Sequence, residues 1–365
     1  MYLKGCLMAK ILVVADWHGS EIYAEVFSKS FERLGNKVEC FSWKEYFKHY
    51  QYSDRYETDG NKLKSLYYRI QNKFISGPTV DKINNDLLDR VNSLKPDLIF
   101  IYRGTHIYPS TLAKIKENQD CKVFGYNNDD PFSPRYPKYF WRHFIKGVPM
   151  YDHLFCYRKH NIDEFKLLGN ESSSLLRSYY TKDRNFKIEG AEKVYDVVFV
   201  GHFEDDGRDE RMLALLESHY NVKLFGTGWE KSKHYQDIVR INGDIKPVYN
   251  DYNLVLNQAR IALVFLSKLN RDTYTRRCFE IPATGTMMIS EFTKDLTTLY
   301  EPGVEADFFK SKEELINKIE GYMSNPDLVL KIGEAGRERL VSDGHEVIDR
   351  AKQVLKEYHK GSYYE

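Results

Sequence analysis

A chain of 365 residues is too long for one ordinary domain and fits two. Hydrophobic residues make up 42% and charged residues 29%, enough for two cores, and a formal net charge of +1 provides no protein-wide field for nucleic acid. The five cysteines lack CxxC or zinc-like spacing, no run reaches transmembrane length, and residues 1–9 are too short and weakly apolar for a secretory signal. The expected setting is therefore cytoplasmic, at most at the inner face of a membrane.

In chain order, residues 10–15, 37–41, 97–102, 122–126 and 153–157 are short, continuous apolar runs, as expected for strands buried on both faces. Cys40, Cys121 and Cys156 belong to these runs and read as small buried hydrophobes. Between the runs, Ile83, Leu87, Val91 and Leu94 keep one stripe of a helix apolar, and Pro96 stops that helix. Residues 43–74 are rich in Tyr, Phe, Lys and Arg. They read either as an insertion whose aromatics pack on the domain or as a peripheral contact with an anionic membrane.

A second series of strands is expected at 196–201, 222–226, 261–266 and 286–290, with helices around 208–219, 249–258 and 312–322. The polar stretch 181–193 between the two series marks a boundary. The resulting domains are 1–185, 190–345 and a C-terminal helix, 346–365, that crosses back to the first domain. Alternation of strand and helix implies an α/β architecture: two Rossmann-like parallel sheets whose carboxyl ends border a cleft.

The segment with the most chemistry runs from Asp272 through Thr275, Arg277 and Glu280 to Gly285. Arg277 and Glu280 lie one helical turn apart. A helix start near Thr275 offers N–H groups and positive dipole to a diphosphate, and an arginine adds charge-assisted bonds. Glu280 can accept two hydrogen bonds from a ribose diol, and Gly285 closes the helix. An isolated RxxE also reads as an exposed ion pair. In the first half, His18 and His106 follow strand ends and suit an acceptor base or a solvated cap. Asp129 and Asp130, before Pro131, suit a general base or a turn. No GxGxxG follows the first strand, which argues against a nicotinamide or flavin enzyme. No His/Cys/acid set has metal-ligand spacing, so no metal and no cofactor are expected.

The order Arg277-x-Phe279-Glu280-x-x-Ala283-x-Gly285 followed by an apolar strand resembles the donor-binding segment of GT-B glycosyltransferases, specifically the CgeB-like branch with a family-1 type C-terminal domain. Supporting pieces follow in register. They are the strand ending at Gly201 with an Arg208-led helix, Gly226-x-Gly228-Trp229, Gly333-x-x-Gly336, and Asn128-Asp129-Asp130-Pro131 in the first half. The resemblance implies that Glu280 contacts the donor ribose and that Arg277 and Gly201 lie at the diphosphate. Arg208, Gly228, Trp229, Asp272, Thr275 and Gly285 complete the donor side, with His106, Asp129 and Asp130 as catalytic candidates. Asp272 stands where many retaining members carry a glutamate. The implied activity is metal-independent transfer from a nucleotide sugar to a glycan, protein or lipid-linked acceptor in surface polysaccharide or envelope glycosylation. A sugar-nucleotide epimerase and a non-catalytic glycan-binding protein are the alternatives.

Overall fold

The structure, a computed structural model, describes residues 8–16, 23–47, 62–118 and 120–360. His18 lies outside them. The chain divides into two compact units, Met1–Arg177 with Val347–Glu365, and Ser178–Glu346.

In the first unit the order is β1 (Lys10–Ala15), α1 (Ala24–Arg33), β2 (Lys37–Ser42), α2 (Lys62–Phe74), α3 (Pro78–Leu94), β3 (Leu98–Tyr102) and α4 (Pro109–Asn118). Then come β4 (Lys122–Asn127), α5 (Arg142–Gly147), β5 (His153–Cys156), α6 (His160–Leu167) and β6 (Ser173–Leu175). The sheet order is β2-β1-β3-β4-β5-β6, and all five pairings are parallel, with Ile11 opposite Leu98 and Phe100 opposite Phe124. After Lys10, central strands β1 and β3 are apolar and buried because helices cover both faces. Ile83, Leu87 and Val91 bury the inner stripe of α3. That helix ends at Lys95, held in the left-handed region (φ 49°), before Pro96 can clash. The edge strand β2 departs from the expected double burial. Its outer positions are open, so Cys40 is exposed; Cys121, just before β4, is half-buried, and of the three cysteines expected to be buried Cys156 alone is enclosed.

In the second unit β7 (Tyr195–Val200), α7 (Arg208–Leu216), β8 (Val222–Phe225), α8 (Tyr235–Asn242), α9 (Tyr252–Asn257) and β9 (Ala259–Val264) come first. They are followed by α10 (Arg277–Ala283), β10 (Met287–Glu291), β11 (Asp307–Phe309), α11 (Lys312–Met323) and α12 (Pro326–Ser342). The parallel sheet runs β11-β10-β9-β7-β8. Two glycines of α12 explain its close seat. A Cβ on Gly333 would come within 2.3 Å of the Gly285 carbonyl oxygen, and one on Gly336 within 2.3 Å of that of Glu305. The last helix, α13 (Val347–His359), belongs to the first unit, where it packs on α1.

The expected first-domain limit at residue 185 moves to 177. The amide of Tyr180 donates to the His345 carbonyl at 3.2 Å, and Tyr180 pairs with Glu346 as an isolated bridge, which ties residues 178–185 to the second unit.

Candidate functional site

Ligands of open parallel sheets bind beyond the carboxyl ends of the strands, where the strand order reverses. In the second unit that reversal lies between β7 and β9. The loop after β7 begins at Gly201, and the loop after β9 leads into α10. The two loops are joined. Glu204 accepts from the Lys268 amide at 3.2 Å and lies 3.1 Å from the imidazole Nε2 of His202. Burial alone would raise the Glu204 pKa, but the bonds from His202 and Ser267 and the charge of Arg208 bring it down to about 2. Arg271 in the second loop takes φ 48°, a strained value for a residue with a side chain.

Glu280 is buried on the first turn of α10. Its Oε2 accepts from the Tyr252 hydroxyl at 3.0 Å, and its Oε1 lies 2.9 Å from Arg276 Nε, an ion pair whose N–H points off the carboxylate. Burial, then the neighbouring carboxylate, holds the Tyr252 phenol well above its usual range, so it stays a donor. The expected partner, Arg277, is not used. Its half-buried guanidinium makes no hydrogen bond or ion pair with any described residue, yet it lies close enough to act electrostatically on Tyr252 and Cys278. A carboxylate has about four lone-pair directions, so Glu280 retains acceptor capacity. An unpaired half-buried guanidinium retains all five donors.

At the carboxyl end of β8 a depression of about 310 Å³ is lined by Gly226, Thr227, Gly228, Tyr235, Ile245 and Pro247 among others. Gly228, at φ 77°, turns the chain along its wall. Thr275 and Asp272 sit in the loop before α10. Thr275 is buried against Cys278, and the seven-residue helix starts at Arg277 rather than at Thr275.

Four donor-side expectations are corrected. The Gly201 amide donates to Phe225 O at 2.9 Å and its carbonyl accepts from the Trp229 indole at 2.9 Å, so neither group is open to a diphosphate. Trp229 borders the depression beside Gly228, but at 1% exposed and packed against Phe199 and Phe203 it offers no open ring face on which a base could stack. Arg208 is consumed by a two-pronged pair with Asp206, at 2.9 and 2.7 Å, and a bond to His202 O at 2.8 Å. Gly285 closes α10 as expected (φ 72°), but it precedes β10 and so lies at the amino ends of the strands, away from the loops just described.

In the first unit the reversal lies between β1 and β3, and Arg103 and Gly104 leave β3 at φ 72° and 55°. His106 is 6% exposed and stacked on Trp43. Its Nδ1 meets Thr105 Oγ1 at 2.9 Å and its Nε2 meets Asn72 Oδ1 at 3.0 Å. Burial, aided by Arg103 and His143, brings its pKa down to about 3. It is a satisfied core histidine, which corrects the catalytic expectation. Asp130 is fully buried. Its Oδ1 accepts from the Phe132 amide at 3.1 Å and Asn161 Nδ2 at 3.0 Å, so it builds the turn instead of acting as a base. Asp129 pairs with Arg103 at 2.8 Å and stays partly reachable. Ligand atoms of Asp130, His160 and Glu164 lie within 4.8 Å of one another, a grouping the sequence spacing did not reveal. Asn161 Nδ2 already bridges both carboxylates, at 3.0 and 2.7 Å, and a cation there would have to displace it.

Sequence reasoning also missed Arg276 and Tyr252. Arg276 had a signal, its i,i+4 spacing to Glu280. Tyr252 had none, because only the fold brings α9 beside α10.

Residues 208–356 match the family model described as "Glycosyl transferase-like". No curated protein matches the chain. Among solved structures, sucrose-phosphate synthase from Thermosynechococcus elongatus superposes with a TM-score of 0.71 at 11% identity, covering 98% of this chain and 100% of that one. HepE of Anabaena, solved with UDP and glucose, gives 0.63 at 13% identity over 95% and 98%. The UDP-forming α,α-trehalose-phosphate synthase of Burkholderia xenovorans gives 0.63 at 13% identity over 97% and 99%. The chain is thus similar along its whole length to GT-B glycosyltransferase structures, and its fold is two Rossmann-like parallel-sheet units of that class.

Proposed function

We propose that the protein is a glycosyltransferase that moves a sugar from a nucleoside diphosphate donor to a hydroxyl of a glycan, protein or lipid-linked acceptor. The observation that carries this reading is the Arg277 guanidinium, left without a partner among the described residues beside the Glu280–Tyr252 pair at the carboxyl end of the second sheet. It lies inside the segment that matches a glycosyl transferase-like family. Fold similarity alone does not choose a chemistry.

In this reading the depression beside Gly228 takes the nucleobase, Glu280 accepts from the ribose diol and Arg277 meets the diphosphate. Tyr252 and Arg276 fix the Glu280 carboxylate before the donor arrives. Charge that develops on the departing diphosphate is met by a guanidinium already in place, so acceleration comes from positioning and electrostatics. Arg276, Arg277 and Lys268 together supply the positive charge, and the reaction is proposed to proceed without a metal. The order of motifs supports a place in the CgeB-like branch. The structures of HepE with UDP and glucose make uridine diphosphate sugars the first donors to try.

The test is donor turnover. The purified protein is incubated with a panel of nucleotide sugars, with and without EDTA, and release of the nucleoside diphosphate is followed. Release from at least one donor, unchanged by chelator, is expected. Activity that EDTA abolishes and magnesium or manganese restores would overturn the metal-free part, and no release with any donor would overturn the transferase reading.

A further inference from the structure

Helix α2 turns its polar face inward and its apolar face outward. On the inner side Asn72 holds the His106 ring at 3.0 Å, Gln71 Oε1 accepts from the Thr79 amide at 2.7 Å, and Tyr68 packs edge-on against Phe47. On the outer side Leu63 is 80% exposed, Leu66 51%, Tyr67 48%, Ile70 49% and Phe74 44%. At 3.6 residues per turn these five fall within an arc of roughly 100°. No other described helix puts more than a pair of exposed large apolar residues on one face. Soluble surfaces seldom show a contiguous row of this kind unless something covers it.

The charges say what covers it. The helix sequence KLKSLYYRIQNKF contains four cations, Lys62, Lys64, Arg69 and Lys73, and no acidic residue. On the helical wheel Lys62, Arg69 and Lys73 lie roughly 70–110° to one side of the centre of the apolar arc and Lys64 about 110° to the other. Near the C-terminal end, Lys73 Nζ lies 5.5 Å from the centre of the Phe74 ring, a cation directly beside the stripe. A second copy of the chain would bring an identical set of cations against this one, and like charges facing each other disfavour that pairing. An apolar stripe edged by cations matches a bilayer surface, where acyl chains receive the stripe and lipid phosphates receive the edges.

We propose that α2 is a membrane-docking helix, lying in the plane of an anionic bilayer with Leu63, Leu66, Ile70 and Phe74 in the headgroup–acyl boundary. No described helix is long and apolar enough to cross a membrane, so the attachment is peripheral and salt-sensitive. The inference stands on α2 alone and does not depend on the transferase reading.

Vesicle flotation of the full-length protein tests it. Vesicles of phosphatidylcholine alone are compared with vesicles that also contain phosphatidylglycerol. Binding is expected to be about ten-fold tighter to the anionic vesicles and to fall as salt rises. Two double variants separate the contributions, Leu66→Glu with Ile70→Glu for the stripe and Lys62→Glu with Lys73→Glu for the edge. All four side chains are exposed, so melting should be unchanged, and Leu66→Ser with Ile70→Ser is the gentler substitute if the first variant folds poorly. The stripe variants should abolish binding, and the edge variant should erase the preference for anionic lipid. Failure of the wild-type protein to float would overturn the proposal, as would stripe variants that bind undiminished. A concentration-dependent dimer broken by the stripe variants, without vesicle binding, would assign the face to a second copy and overturn it equally.

Discussion

His106 and Arg277 hold comparable places in their two sheets. Each follows the strand that borders the reversal of strand order, β3 in the first unit and β9 in the second. His106 is stacked on Trp43, bonded through both ring nitrogens and brought down to a pKa of about 3, mainly by burial. Arg277 is half-buried with none of its five donors taken by a described residue. Polar residues at sheet ends are common, and most are satisfied by the protein itself. A partly buried guanidinium with donors to spare is the kind of group a ligand can complete, and that is the role proposed for Arg277. The same contrast separates Arg208 from Arg277 within the second unit. Arg208 is closed by Asp206 and the His202 carbonyl, whereas Arg277 stays open.

This contrast can be broken by substitution. The largest effect is expected at Arg208. Replacing it with alanine leaves the Asp206 carboxylate buried and unpaired, which should cost about 3–5 kcal/mol of stability. Chemical denaturation reads this directly, and a loss under 1 kcal/mol would mean that Arg208 is not the structural arginine of the pair.

Glu280 comes next. Glu280→Ala should abolish transfer and weaken nucleoside diphosphate binding by about 1.5–3 kcal/mol, the worth of a charged hydrogen bond. It also strips the Tyr252 hydroxyl of its acceptor, so some stability should go with it. Glu280→Gln keeps an acceptor for Tyr252 and should restore melting without restoring transfer. Full activity in the glutamine variant would show that the negative charge is not needed at the donor.

A smaller and cleaner effect is expected from His106→Asn. Turnover per folded molecule should persist, while the dependence of stability on pH should flatten. The folded pKa lies near 3 and the unfolded one near 6.5, so between those values the unfolded chain binds more protons. The contribution of His106 is therefore complete above about pH 6.5 and is lost as pH falls toward 3. Denaturation of both proteins across that range checks the slope. Loss of turnover with an unchanged slope would return His106 to the catalytic candidates.

Much of the fold was legible because buried parallel strands are short apolar runs, and nine of them stand out in the sequence. The strands at Ser173–Leu175 and Asp307–Phe309 were not legible, since three residues at a sheet edge carry too little pattern. Of the candidate site, the Arg277–Glu280 segment was visible as a motif. Spacing alone does not tell that Glu280 pairs with Arg276 and leaves Arg277 open, because α9 and the loop after β9 decide it. Gly201 and Trp229 were conspicuous for a different reason. The loops after β7 and β8 cross so tightly that a Cβ on Gly226 would lie 1.8 Å from the Gly201 carbonyl oxygen, and the Trp229 indole locks that crossing. Likewise Cys40 followed the strand pattern but sits on the edge strand, where the pattern does not imply burial.

The central claim is that Arg277 is open because a diphosphate completes it, and calorimetric titration of nucleoside diphosphates tests this most directly. Wild-type protein and the Arg277→Met variant are titrated with the same panel, beginning with UDP, in the presence of EDTA, alongside thermal melts. Because Arg277 has no described protein partner, the variant should melt like the wild type while binding the preferred diphosphate about 1.5–3 kcal/mol more weakly. Equal affinity in the two proteins, or no diphosphate bound by the wild type, would contradict the account.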